Sequence, residues 1–176
     1  MMLQLRDAGT LPSLDEDITK YNNQFSVINP FGNTKRGISF HQLSCHLSGL
    51  PRNPPCVGLF VSGCNASAEV IYQRLSKMKL DNPPGLKPSY SNLGIGLLGR
   101  TLEEVLSTRQ SWEDYVEKEI LTPLGMKDSG TRMPPKSSTQ MAVGYLWDGS
   151  VAGMGIILVA SIVTVTAIDS LFLVLS

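Results

Sequence analysis

Apolar residues recur at helical spacing along much of the chain, and capping residues mark where each helix should begin and end. Met2, Leu3 and Leu5 open an amphipathic segment that Gly9 is placed to close. Asp15 stands where it can cap a turn through Ile18, and residues 21–36 are polar and loop-like. The strongest start signal is at Ser39, with Gln42 three residues on at capping-box spacing and Ile38 and Leu43 placed as a hydrophobic staple. Gly49 is a suitable C-cap and Pro51 bars continuation, so the pattern predicts a helix over 39–48. Residues 52–65 read as a loop with one short apolar, strand-like run. Val70, Ile71 and Leu75 predict a helix over 67–79, stopped by Pro83-Pro84-Gly85.

Leu93, Leu97, Leu98, Leu102 and Val105 form the apolar face of a helix expected over 92–106. Gly94, Gly96 and Gly99 interrupt it, each at up to ~1 kcal/mol relative to alanine. The expected compensation is close packing against another backbone. Ser111 caps a further helix over 111–121, with Trp112, Tyr115, Val116 and Ile120 on one face and Pro123-Leu124-Gly125 at its end. Trp112 and Tyr115 read as core. Residues 127–141 read as loop, and no internal repeat is visible. Arg6 and Asp7 interrupt the N-terminus before an apolar run of the ~7–15 residues that a signal peptide needs can form.

The run over 151–168 differs in kind. It carries no charge, is dense in Val, Ile and Thr, and meets the roughly 17–25 residues of a membrane span. A buried strand pair is the alternative that its β-branched content and Asp169 leave open. Charged residues make up 17% of the chain, below the usual value of about 25%, and in 151–176 Asp169 is the only one. A chain of this length holds one domain with a real core, so the division is 1–150 as the domain and 151–176 as an apolar tail. The net charge is zero and the pI near 6.7, which excludes the basic footprint of a nucleic-acid binder. Three cysteines, Cys45, Cys56 and Cys64, cannot form a closed disulfide framework, and their spacing does not suggest zinc. Cys56 and Cys64 bracket a short loop followed by the glycosylation-type triplet Asn65-Ala66-Ser67. Together these point to a lumenal or extracellular domain, membrane-associated through 151–176.

Four segments in order carry a family resemblance. Leu14-Asp15-Glu16-Asp17-Ile18 is similar to the LDDPV turn of class C serine β-lactamases and penicillin-binding proteins. Residues 38–51, from Ile38-Ser39-Phe40-His41 to Ser48-Gly49-Leu50-Pro51, resemble that family's ITLRHLLTHTSGLP segment. Tyr90-Ser91-Asn92 resembles its Tyr-x-Asn motif, and Trp112-Glu113-Asp114-Tyr115-Val116 with Pro123-Leu124-Gly125-Met126 resembles its "PLGM" region. Animal β-lactamase-like proteins are the nearest members by this pattern. The resemblance implies a fragment of the α/β β-lactamase/transpeptidase-like fold, mostly its helical region with few strands of the central sheet. It also implies a serine hydrolase acting on a small amide or ester, with no cofactor and no metal.

By the same resemblance Tyr90 is the proton acceptor and Asn92 holds the substrate amide, for which an amide that donates and accepts is suited. In an extended approach to a helix, residues two apart point the same way. Two family elements are missing from the pattern. The Ser-x-x-Lys that opens a helix would lie before residue 1, and the (Lys/His)-x-Gly strand motif would fall where the apolar tail stands. The one Ser-x-x-Lys present, Ser76-Lys77-Met78-Lys79, falls at the end of a helix, away from the positive dipole end that favours a nucleophile. A tyrosine takes a proton only if nearby cations stabilise its phenolate, and Lys87, on a proline-flanked loop, is a poor substitute for the family's lysines. The expectation is an inactive fragment with Tyr90 as a vestigial acceptor. The alternatives are a non-catalytic binding module tethered by the tail, or a truncated product without function. His41 and Cys45 share a helical face without a third ligand, and His46 is expected to satisfy a buried hydrogen bond near Ser48-Gly49.

The tail gives the first prediction. Expressed whole, the chain should fractionate with membranes, and a version ending at residue 150 should stay soluble without detergent. Recovery of monomeric full-length chain from detergent-free buffer would overturn the assignment of a membrane span.

Overall fold

The computed structural model describes residues 1–32, 37–55, 66–106, 108, 110–127, 129–131 and 145–151. Cys56, Cys64, Asn65 and the apolar run beyond Val151 lie outside the described residues. Among those described, no helix is long and apolar enough to cross a membrane.

Five α-helices organise the described part: α1 Met2–Asp7, α2 Phe40–Ser44, α3 Ala68–Leu75, α4 Asn92–Val105 and α5 Trp112–Val116. Extended pairing between described residues takes the form of isolated bridges, at Asp17–Ser39, Ile28–Lys79 and Tyr145–Val151. α4 is the central element, with α2 and α5 packed on it. Its apolar stripe supplies Leu93 and Leu97, which are wholly buried, and Leu102 and Val105 beside them. Around it cluster Leu11, Ile18, Phe40, Leu43, Leu50, Ile71 and Leu75, also without exposure. Each such side chain contributes roughly 1.5–3 kcal/mol by leaving water.

α1 ends as its glycine implies. Gly9 is left-handed at φ 74 and its N–H donates to the Arg6 carbonyl. The cap of the next turn differs from expectation. Asp17, not Asp15, accepts from the Thr19 N–H at 2.9 Å and opens a 3₁₀ turn over Ile18–Lys20. The Ile18 N–H is already taken by the Ile38 carbonyl, which fixes the turn's start after Asp17. Asp15 lies on the surface 3.6 Å from His41.

The capping box of α2 is complete. Ser39 accepts from Gln42 N–H, and the Gln42 side chain accepts from Ser39 N–H. Ile38 and Leu43 are both buried, as a staple requires. The helix is nonetheless shorter than the 39–48 expected, ending at Ser44. α3 likewise ends at Leu75 rather than 79, and Lys79 instead bridges to Ile28. The 111–121 helix divides into α5 and a π turn over Glu117–Leu121. In that turn Thr122 N–H and hydroxyl both donate to the Glu117 carbonyl, and the Glu117 carboxylate accepts from Thr131 N–H and hydroxyl. Trp112 is buried, as expected, while Tyr115 is only partly so and packs at the core's edge.

A polar link joins the loop after the 3₁₀ turn to α3 and α4. The buried Asn22 amide donates to the Tyr72 hydroxyl at 2.8 Å and reaches Thr101 Oγ1 at 3.4 Å. The Thr101 hydroxyl in turn donates to Leu97 O, one turn back. Burial pushes the Tyr72 phenol above its usual value, and the Asn22 hydrogen bond acts in the opposite sense.

The helix glycines do not pack against another backbone. A Cβ on Gly94 would meet the Ser91 side chain at 3.3 Å and Ser48 Oγ at 3.5 Å, whereas one on Gly99 would rest against Trp112 at 3.7 Å. A Cβ on Gly96 would meet nothing within 4 Å among the described residues. Gly96→Ala should therefore stabilise the fold by about 1 kcal/mol, the helix-propensity difference. Gly94→Ala should gain little or destabilise, because it presses on the cap of α4. Urea unfolding of the two variants in parallel checks this; equal shifts would refute the role given to the Ser91 contact.

Candidate active site

The turn after α2 builds the site. With Cys45 as C-cap, His46 takes the left-handed position at φ 57, Leu47 N–H donates to Gln42 O at 2.7 Å, and His46 N–H to Leu43 O at 3.3 Å. That is the Schellman pattern, with histidine where glycine usually stands. Gly49, at φ 73, is the second left-handed residue of this turn. A side chain there would lie 2.0 Å from the Asn82 carbonyl oxygen, so the close approach of the two chains permits only glycine.

The 46–52 segment binds the chain leading into α4 almost wholly by backbone. His46 O accepts from Ser89 N–H, Leu47 O from Gly85 N–H, and Gly49 O from Asp81 N–H, each at 2.8 Å. Farther on, Arg52 O accepts from both Asn92 N–H and Leu93 N–H, two of the orphan donors of the α4 N-terminus. Ser48 Oγ, buried, accepts from Leu50 N–H. The segment that resembles the family's His-Thr-Ser-Gly turn is thus the support of the Tyr-x-Asn segment.

Ser91 is the N-cap of α4. Its hydroxyl accepts from Gly94 N–H at 2.8 Å and donates to the Pro51 carbonyl at 2.7 Å, and the residue has no exposure. Both functions of that hydroxyl are committed, so it is not free to act as a nucleophile. Tyr90, immediately before the cap, is 49% exposed. Its ring lies 4.7 Å from the His46 ring, and the Arg52 guanidinium sits 5.5 Å from its centroid.

Asn92 has already entered the helix and is only 4% exposed. The structure therefore does not give Tyr90 and Asn92 the common outlook expected of an extended pair. The Asn92 amide donates to Asn53 Oδ1 at 3.0 Å, and its own Oδ1 is buried without a hydrogen-bond partner among the described residues. Such an oxygen costs about 1–3 kcal/mol for as long as no donor reaches it. Ser76 lies at the C-cap of α3, where its hydroxyl donates to Gln73 O. Sequence reasoning reached Tyr90 and Asn92 but missed Arg52 and Asn53, whose position directly after the Ser48-Gly49-Leu50-Pro51 turn is the one signal for them.

Comparison with known proteins places this geometry. The Beta-lactamase family model matches residues 1–162. Beta-lactamase-like protein 2 of Dictyostelium discoideum is 49% identical over 130 residues, covering 73% of this chain and 23% of that protein. The human protein beta-lactamase-like 1 is 28% identical over 152 residues, covering 85% of this chain and 30% of that protein. The solved structure of a β-lactamase/D-alanine carboxypeptidase from Yersinia pestis, complexed with citrate, superposes with a TM-score of 0.71 at 26% identity, over 98% of this chain and 45% of that one. The chain thus spans less than a third of these two relatives' own length.

The committed hydroxyl of Ser91 sets the prediction for this site. Ser91→Ala removes the helix cap and should destabilise the fold by about 1–2 kcal/mol. Reaction with a serine-reactive fluorophosphonate should not change. Loss of labelling in this variant, at unchanged stability, would mean that the hydroxyl is a free nucleophile after all.

Proposed function

The chain belongs to the β-lactamase family, and from that premise we propose that residues 1–176 carry the proton-accepting and amide-holding half of a serine acyl-transfer site without turning over substrate themselves. Tyr90 is the acceptor and Asn92 the amide-holding residue. The substrate class of the completed site is a small amide or ester, acylating a serine and released by water.

The observation that carries this reading is the state of Asn92. Its oxygen is buried with no hydrogen-bond partner among the described residues, and its nitrogen donates one of its two hydrogens to Asn53. A buried polar atom in that condition calls for a donor, and a lysine ammonium or a substrate N–H would satisfy it. The burial of Asn92, only 4% exposed, supports inactivity of these residues alone, because a substrate amide would reach it only after Asn53 had moved aside. Two serines that sequence brings to mind are also unsuited. Ser91 is committed to the cap, and Ser76 sits at the negative end of a helix, which disfavours a developing oxyanion. Tyr90 itself retains the exposure that an acceptor needs. Arg52 is the cation beside it, held over the ring rather than bonded to it.

Incubating the purified chain with a chromogenic cephalosporin and a simple chromogenic ester should give no turnover above buffer. A fluorophosphonate should give no labelling that depends on Tyr90. Covalent labelling of any serine that disappears in Tyr90→Phe would show a complete site within these residues and sink the proposal.

A further inference from the structure

We propose that His46 is a positioning residue for Tyr90, setting the place of its ring through an Nδ1 acceptor presented from a left-handed backbone position. The proposal deepens the reading above, on which Tyr90 is the residue that matters. It begins with a cost. Left-handed backbone is unfavourable for L residues, and glycine would fill this Schellman position without strain. Histidine tolerates the conformation better than most, but toleration does not explain its presence. The side chain supplies something that glycine cannot.

What it supplies is a hydrogen bond and a ring contact at the same place. His46 Nδ1 accepts from the Ser91 backbone N–H at 3.2 Å. Ser91 is the N-cap, so its N–H lies outside the helix ladder and needs a partner of its own. The imidazole and Tyr90 ring centroids lie 4.7 Å apart, their planes tilted by 39°. The His46 carbonyl meanwhile accepts from Ser89 N–H. One residue therefore holds the chain on both sides of Tyr90, at Ser89 by its backbone and at Ser91 by its side chain, and lays its ring against the tyrosine between them. To accept at Nδ1 the imidazole must be neutral with its hydrogen on Nε2.

The test is by NMR on the whole chain, and none of its readouts requires a substrate. A chain that hydrolyses nothing, or something unexpected, leaves the result intact. In the natural sequence, Nδ1 of His46 should resonate as an unprotonated nitrogen and show a ¹⁵N–¹⁵N coupling to the Ser91 amide across the hydrogen bond. His46→Gly keeps the left-handed turn and removes the acceptor. Ser91 amide exchange should then quicken by about three- to tenfold, the range of one ordinary hydrogen bond, and the Tyr90 ring resonances should shift. His46→Asn keeps both features, since asparagine tolerates the left-handed region and carries Oδ1 where histidine carries Nδ1. It should restore Ser91 protection to within about twofold of the natural chain. The proposal fails if the coupling is absent from the natural chain, or if a folded His46→Gly protects Ser91 as well as histidine does. It also fails if a folded His46→Asn behaves like the glycine variant. Should His46→Gly not fold, the coupling and the asparagine variant decide alone.

Discussion

The structure depends on one close approach of two stretches of backbone. Between His46 and Arg52 the chain offers its carbonyls to the segment that leads into α4, and that pairing fixes where α4 begins. The approach is possible because Gly49 has no side chain, since a Cβ there would lie on the Asn82 carbonyl. It is worth several hydrogen bonds, each contributing about 0.5–1.5 kcal/mol net. Its larger effect is geometrical. The apolar face of α4 meets α2 and the core only if its first turn is held where Arg52 O and Pro51 O receive it.

This support explains why the candidate site keeps its form with few side-chain contacts of its own. Tyr90 projects from a stretch pinned at Ser89 and Ser91, and Asn92 from a helix start whose free N–H groups are already taken. The family's chemistry asks for two polar groups at fixed separation near a nucleophile. In this chain one of the two is open to water and the other is closed by Asn53.

Local signals were legible in the sequence. The capping box and staple of α2, the cap at Ser91 and the apolar stripe of α4 each involve residues within a turn or so of one another, where spacing determines contact. The end of α2 was not legible. Gly49 looked like the C-cap, but the helix stops four residues sooner than expected, with Cys45 as its cap, because the left-handed residue is His46, whose ring and carbonyl are bonded to Ser91 and Ser89. The choice of Asp17 over Asp15 is of the same kind: both are acidic and well placed, and a carbonyl from Ile38 decides between them. Tyr90 and Asn92 were found through motif resemblance, not through their surroundings. Arg52 and Asn53 stayed hidden because what gives them a role lies roughly 40 residues away.

That separation bears on the order in which the molecule assembles. The bonds from Ser91 to His46 and to Pro51 span 45 and 40 residues, so they reward the chain only after a long loop has closed. The capping box of α2 spans three residues and needs no such closure. The cap of that helix thus rests on local contacts alone, whereas the seating of Tyr90 waits on closure of the long loop. Slow closure of that loop would leave local helix formed, α4 not yet seated on α2 and the tyrosine not yet in register. Recovery of a helical spectrum after refolding is therefore a poor measure of whether this site has been made.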